Sequence, residues 1–251
     1  MLETKTAVIT GGSSGIGRAI AKQYAEEGAN VVIGDLDEEP RLAETPTADV
    51  IQQEGGSAMF VKSDVTDYDD AEKLVEAAVD EYGSIGVMVN NAGILQQTLL
   101  HETSTEEWKK LMDINVTGVF HGTKAAIPYM IEQESTGSIV NISSISGSIG
   151  RERAPAYCAS KGAVTMMTRQ NAIDYGPHGI RVNAVGPGGT LTAMVHNVMS
   201  EERQEHLEDQ TPLRRLAEPE EIADVATFLA SDMASYVNGH VLIADGGFSI
   251  S

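Results

Sequence analysis

Cysteine is all but missing from this chain of 251 residues: Cys158 is the only one. One thiol forms no intrachain disulfide and no cysteine-built metal cluster, so the sequence suits a reducing cytoplasm. The six histidines, His101, His121, His178, His196, His206 and His240, are scattered without an HExxH-type pair, and no metal site is expected. Long apolar runs are missing as well. None approaches the roughly 18 residues that a membrane span needs. The opening MLETKTAVIT sets an acid and a lysine ahead of a short β-branched run, as a first strand would and a signal peptide would not. Basic residues are the third scarcity: 17 Lys and Arg stand against 37 Asp and Glu, a formal net charge of −20. Such a field repels nucleic acid and anionic membranes, so neither is expected as a partner. Two readings of the excess acid stand side by side. One is a high-salt cytoplasm that screens the self-repulsion, and the other is an ordinary acidic bacterial or archaeal enzyme.

What the chain does have is a repeating rhythm. Hydrophobic residues make up 41% of it, enough for a substantial core at this length, and 25 glycines punctuate regular apolar runs. TAVIT (6–10), NVVIGD (30–35), SAMFVKSD (57–64), IGVMVNN (85–91), SIVNISS (138–144), IRVNAVG (180–186) and HVLIAD (240–245) read as buried strands. Helical patterns fall near 15–28, 67–82, 105–134, 155–175 and 218–230. Strand alternating with helix predicts an α/β fold, a doubly wound parallel sheet covered on both faces. No linker, repeat or low-complexity tract divides residues 1–251, so a single domain is expected. Two segments break the rhythm. Pro40 and Pro46 predict a loop and then a short helix in 36–56. Residues 187–217 carry no strand signal, and 190–213 are expected to form a substrate lid.

Directly after the first strand comes TGGSSGIG, residues 10–17. Gly11, Gly15 and Gly17 allow a tight turn and bring backbone close to a pyrophosphate at a helix N-terminus. Asp35 ends the second strand 18 residues after Gly17, near the ~20-residue interval of an acid that accepts from the adenosine ribose. A carboxylate there repels a 2′-phosphate, Leu36 and Asp37 bring no base, and Ser14 leaves the glycine loop uncharged. NAD is therefore expected in preference to NADP, with Arg41 the one residue able to fold back and reverse the preference.

The pattern resembles the short-chain dehydrogenase/reductase family across essentially the whole chain. TGGSSGIG fits its TGxxxGxG turn; NNAG (90–93), Asn115, Ser144, Tyr157-x-x-x-Lys161, Pro187-Gly188 and the closing NGHVLIADGG (238–247) follow in the family's order and spacing. The resemblance implies a Rossmann-type sheet of seven parallel strands in the order 3-2-1-4-5-6-7. It also implies a catalytic set of Asn115, Ser144, Tyr157 and Lys161. Its cofactor set would be Gly11, Ser14, Gly15, Ile16, Gly17, Asp35, Asp64, Val65, Asn91, Ala92, Gly93, Pro187, Gly188, Thr190 and Thr192, with Tyr157 and Lys161 shared. Asp64 and Val65 would hold adenine; Thr190 and Thr192 would meet the nicotinamide carboxamide. Asn115 would distort its helix so that a backbone carbonyl holds a water. Members are commonly homotetramers, sometimes dimers, that pair the helices placed here at 105–134 and 155–175.

Hydride exchange between a secondary alcohol and nicotinamide needs a proton to leave or join the oxygen, and Tyr157 serves only if its pKa falls from about 10. Tyr157 and Lys161 lie one helical turn apart. A lysine charge at about 5 Å and an effective dielectric of about 20 favours the phenolate by roughly 3 kcal/mol, near 2.4 pKa units. Ser144 would hold the substrate oxygen, but Ser143 has the same chemistry; only the family's interval of 13 residues before Tyr157 selects Ser144. Cys158 points about 100° away from Tyr157 on a helix and reads as packing. Arg151 and Arg153 are conspicuous in so acidic a chain. Loop charges paired with Glu152 or another subunit are the expectation, and attraction of an anionic substrate is the alternative. In the lid, Met194, Val195, Val198 and Met199 are candidates for an apolar wall, and His196 for a substrate contact. The expected activity is NAD-linked interconversion of a secondary alcohol and a ketone, on a sugar, cyclic alcohol, steroid-like ring or 3-oxoacyl thioester. A non-catalytic NAD-sensing protein on the same fold is the alternative.

Overall fold

The computed structural model describes residues 1–133, 136–193 and 200–251. Its strands are β1 (Thr6–Thr10), β2 (Asn30–Asp35), β3 (Ser57–Lys62), β4 (Val87–Asn90), β5 (Ser138–Ile142), β6 (Arg181–Pro187) and β7 (Val241–Ala244). They form one parallel sheet in the order β3-β2-β1-β4-β5-β6-β7. This is the expected Rossmann-type arrangement. β1 pairs with β2 on one side (Ala7 opposite Val31) and with β4 on the other (Ala7 opposite Val87), so the winding reverses there and a crevice opens at the strands' C-terminal ends.

Alternation along the strands feeds two cores. Ala7, Ile9, Val31, Ile33, Val87 and Val89 face one layer, where they meet Ile20 and Tyr24 of α1 (Gly15–Glu26) and Ile51 of α2 (Thr47–Gln53). Ile222, Ala226 and Leu229 of the helix near the C-terminus close the same layer. Val8, Val32, Met88 and Ile139 face the other layer. There they meet Leu74 and Val75 of α3 (Tyr68–Tyr82), and two later helices complete the cover. Burial on both faces accounts for the near-continuous apolar strands. α2 is the short helix expected after the proline-containing loop.

The helix expected over 105–134 is instead two, α4 (Thr105–Met112) and α5 (Gly118–Glu132), joined by a π-helical turn at Asp113–Thr117. The Gly118 amide reaches back to the Asp113 carbonyl, five residues away, which widens the turn around Asn115. Next come α6 (Pro155–Tyr175), α7 (Glu201–Gln210) and α8 (Pro219–Ala230). α7 falls within the expected lid, whereas Met194, Val195, His196, Val198 and Met199 lie outside the described residues. Among the described residues, no helix is long and apolar enough to cross a membrane, and no cluster of His, Cys, Asp or Glu is arranged to hold a metal ion.

Polar contacts run through the sheet as well. Asn90 Nδ2 donates to Thr123 Oγ1 (3.0 Å) on α5 and to Asn141 Oδ1 (2.9 Å) on β5. Asn141 Nδ2 then donates to Thr168 Oγ1 (2.9 Å) on α6, and all four residues are buried. The chain fixes α5 and α6 against the sheet by directional bonds that apolar packing does not supply. Asn141→Leu leaves Asn90 short of an acceptor and Thr168 short of a donor. It should lower the unfolding free energy by about 1–3 kcal/mol in urea titrations; a loss below a few tenths would show that the chain is structurally idle.

Candidate active site

At the crevice, TGGSSGIG makes the turn its glycines predict. Gly11 adopts a left-handed φ of +67°, and a Cβ there would lie 2.9 Å from the Ala92 backbone. Gly17 is pressed harder: a Cβ would lie 2.2 Å from the Gly11 carbonyl oxygen and 2.4 Å from Asn91 Nδ2. Asn91 spends its amide on the turn itself, donating to Thr10 O (2.9 Å) and Gly11 O (3.0 Å). Ser14, the residue ahead of α1, makes no side-chain cap, so the first-turn amides face the cleft without acceptors. Ser13 Oγ is buried with no partner. Bare amides, an orphaned hydroxyl and a turn tight enough to exclude side chains fit the phosphates of a dinucleotide.

Asp35 stands at the rim, its carboxylate accepting from Ser13 N (3.1 Å) and Leu36 N (2.8 Å). The loop beyond it does fold back: Arg41 N donates to Ser14 Oγ (2.8 Å), which brings Arg41 to the cleft wall. Arg18 points away to Thr45 O and Thr47 Oγ1. Asp64 and Val65 line the same end. His121 Nδ1 lies 3.0 Å from the Val65 carbonyl and so carries the proton.

The other end holds the candidate catalytic side chains. Tyr157 and Lys161 project from the first two turns of α6, with Lys161 Nζ 5.7 Å from the Tyr157 ring centroid. The buried Lys161 ammonium donates to the Ile142 carbonyl at 2.7 Å. The two serines separate cleanly. Ser143 is committed to α6, its hydroxyl donating to Lys161 O (3.2 Å) and meeting Thr165 Oγ1 (3.1 Å). Ser144 accepts from Ser146 N (3.1 Å) and lies near enough to Tyr157 to lower its pKa. Asn115 works from behind: its Oδ1 accepts from Ile94 N (2.8 Å), while its Nδ2 donates to Ile94 O (2.9 Å) and Ser160 Oγ (3.1 Å). Ser160 in turn donates to the Tyr157 carbonyl at 2.8 Å.

Electrostatics here differ from the simple lysine–tyrosine expectation. Burial is the largest influence on Tyr157 and holds its pKa above the ordinary value; the nearby Ser144 hydroxyl and the Arg151 charge pull against it. Part of the ring stays at the cleft surface, so this burial reflects dense packing around the side chain and not full enclosure. Lys161 is pushed down to about 8 by desolvation. The correction has a physical cause: with Nζ bonded to Ile142, the dominant effect on each group is the cost of burying its own charge.

The cleft measures about 950 Å³. Its wall includes Gly11, Ser14, Gly15, Ile16, Asp35, Asp64, Val65, Asn91, Ala92, Gly93, Ser144, Tyr157, Lys161, Pro187, Gly188, Thr190 and Thr192. Gly17 and Asn115 stand just behind the wall and shape it. The two arginines of GRERAP diverge. Arg153 sits at a left-handed φ of 55° with its guanidinium 3.6 Å from Glu102, not Glu152, while Arg151 turns into the cleft. Sequence reasoning missed Arg203 and Gln97. Both line the cleft, and Arg203 Nη1 donates to Gln97 Oε1 at 2.9 Å; a lone base in an acidic helix gives no spacing signal.

A family model described as Enoyl-(Acyl carrier protein) reductase matches residues 11–249. The chain is 42% identical to 2,5-dichloro-2,5-cyclohexadiene-1,4-diol dehydrogenase LinX of Sphingobium indicum, over 99% of this chain and 98% of that one. It is 39% identical to Glucose 1-dehydrogenase 2 of Bacillus subtilis, over 99% and 96%. The crystal structure of a short-chain type dehydrogenase/reductase from Mycobacterium marinum superposes with a TM-score of 0.94 at 36% identity, covering 100% of this chain and 97% of that one.

The depressed Lys161 value carries a pH signature. Between about 8 and 10.5 the unfolded chain holds a proton that the folded chain has released, so folding strengthens as pH rises through that window. Relative to Lys161→Met, the parent should gain on the order of 3 kcal/mol of unfolding free energy across it. Urea titrations at pH 7.5 and pH 10 read the difference, and a flat or falling gap would contradict the assignment.

Proposed function

The chain belongs to the short-chain dehydrogenase/reductase family and acts on CH–OH groups, and we propose that it is an NAD(H)-dependent oxidoreductase interconverting a secondary alcohol and a ketone, with Tyr157 as general acid/base. The observation that carries this reading is the convergence of Ser144, Tyr157 and Lys161 at one end of a cleft whose other end is the glycine turn and Asp35. The bound nicotinamide supplies the hydride acceptor for alcohol oxidation and the hydride donor for ketone reduction. The glycine turn and α1 hold its phosphates, Asp35 its adenosine ribose, Asp64 and Val65 its adenine, and Thr190 and Thr192 its carboxamide. Asp35 accepts from ribose hydroxyls and repels a 2′-phosphate, which favours NAD over NADP even with Arg41 nearby.

Ser144 donates to the substrate oxygen and stabilises the charge that develops on it. Tyr157 takes the hydroxyl proton during oxidation and returns it during reduction. Lys161, with a pKa of about 8, stands beside Tyr157, exchanges protons at working pH and donates to the nicotinamide ribose. Asn115 holds the Gly93–Ile94 segment and the α6 backbone in register. Two relatives named for six-membered rings bearing hydroxyls, one a cyclohexadienediol and one glucose, support a ring alcohol as the substrate class. Residues 1–251 act as one cytoplasmic domain. Phe120 (48% exposed) on α5, with Met166 (57%) and Ile173 (71%) on α6, leaves apolar area for self-association into a homotetramer.

Tyr157→Phe tests the reading. Turnover of an NAD-linked ring alcohol should fall by about 10²–10⁴, while fluorescence titration should show NADH binding unchanged and tighter than NADPH binding. A parent protein that bound NADH and turned over no alcohol or sugar would instead be a cofactor sensor. Light scattering should give a mass four times the 26.7 kDa chain; a monomer mass at assay concentration would sink the assembly proposal.

A further inference from the structure

Resting on that dehydrogenase reading, we propose that the substrate carries a carboxylate, bound by Arg151 and Arg203 beside Tyr157. The chain has 17 Lys and Arg against 37 acids, yet two guanidiniums share the substrate end of its cleft. Both are half-buried. Among the described side chains, of which that of Glu201 is not one, neither forms an ion pair, although Arg153, Arg214 and Arg215 each do. Glu152 lines the same cleft as an exposed side chain and pairs with neither.

The geometry prepares these two side chains for a planar anion. The Arg151 guanidinium carbon sits 5.5 Å from the Phe248 ring centroid, a cation–π contact that leaves its N–H donors unused. Arg203 spends one nitrogen on Gln97 and keeps its remaining donors. Burial lowers the pKa of Arg151, and the nearby Arg203 charge lowers it further. Two half-buried cations without a carboxylate between them are costly, and a substrate carboxylate relieves both with paired N–H···O bonds.

The position also selects the source of the anion. Arg151 lies close enough to Tyr157 to favour its phenolate, so the bound anion sits near the reacting oxygen. A carboxylate on the substrate's own ring reaches that point. Phosphates of an acyl carrier sit at the far end of a long arm, away from the carbon that reacts.

Isothermal titration calorimetry of the NADH complex tests this with cyclohexanecarboxylate and cyclohexanecarboxamide, which share a ring and differ in charge. The acid should bind at least about tenfold more tightly than the amide. Arg151→Gln and Arg203→Gln should each weaken the acid about tenfold, leave the amide within about threefold, and together abolish the preference. Arg153→Gln, altered outside the cleft, should change neither. Equal affinities, no binding of the acid, a preference that survives the double variant, or inorganic phosphate binding more tightly than the acid would each overturn the carboxylate assignment. The titration with NADH that precedes these runs separates the two readings. Absence of NADH binding overturns the dehydrogenase proposal, whereas NADH binding without an acid preference overturns only this one.

Discussion

The crevice exists because β1 is flanked by β2 and β4, and its floor is sealed by hydrogen bonds between the ends of β1 and β4. Thr10 Oγ1 accepts from Asn91 N (3.1 Å) and Ala92 N (3.2 Å), and Asn91 returns two bonds to Thr10 O and Gly11 O. These bonds bring the NNAG segment against the glycine turn so tightly that neither Gly11 nor Gly17 has room for a Cβ. The open amides of α1 and the rim carboxylate of Asp35 can face one ligand only because this floor is fixed. Beyond Asn91 the chain reaches Gly93 and Ile94, where Asn115 takes both backbone groups of Ile94. One continuous set of polar contacts therefore runs from the cofactor end of the cleft to the proton-transfer end.

α6 is the second dependency, and it is held differently from α1. α1 buries Ile20 and Tyr24 in an apolar layer. α6 meets the end of β5 through Asn141 with Thr168 and Ser143 with Thr165, and the π turn through Asn115 with Ser160. Directional bonds of this kind fix the rotation of the helix, and that rotation sets where Tyr157 and Lys161 point. A helix packed only by small apolar residues would tolerate a slip that moves a catalytic hydroxyl by an ångström, a displacement that costs catalysis far more than stability.

Periodicity made the sheet legible: the seven apolar runs are the seven strands, β1 and β2 with the same ends and the others with ends differing by one or two residues. The candidate site was legible where the chemistry demands particular residue types, as at the glycines, Asp35 and the Tyr157–Lys161 interval, which the structure brings to one cleft. It was not legible where tertiary geometry decides. Local propensity in residues 105–134 does not mark a π turn, and only the family resemblance implied a distortion at Asn115, because the widening is stabilised from outside by the Ile94 backbone. Ser143 and Ser144 are chemically alike, and only α6 takes one away. Arg151 and Arg153 are two residues apart yet part company, since a left-handed Arg153, its carbonyl bonded by Thr98 N at 2.7 Å, turns the loop between them. Arg203 comes from a segment more than 50 positions later, which no local pattern connects to GRERAP.

The tyrosine–lysine pair shows how far spacing carries an argument. One helical turn guarantees proximity, but burial acts on each charge separately: it raises the tyrosine and lowers the lysine to about 8. At a separation of ~6 Å and a dielectric of ~20, mutual attraction of the ionised pair is about 3 kcal/mol. That attraction competes with two desolvation costs, and the Ile142 carbonyl already satisfies one donor of the ammonium. The neutral tyrosine therefore prevails in this state, and further positive charge is required to release its proton. Arg151 already acts in that direction and does not offset the burial. An oxidised nicotinamide, positively charged, would add to it from the cofactor side in the alcohol-oxidising direction. Proton transfer from Tyr157 would thereby be tied to the bound cofactor, and the burial that opposes the phenolate would also strengthen that positive charge where water is displaced.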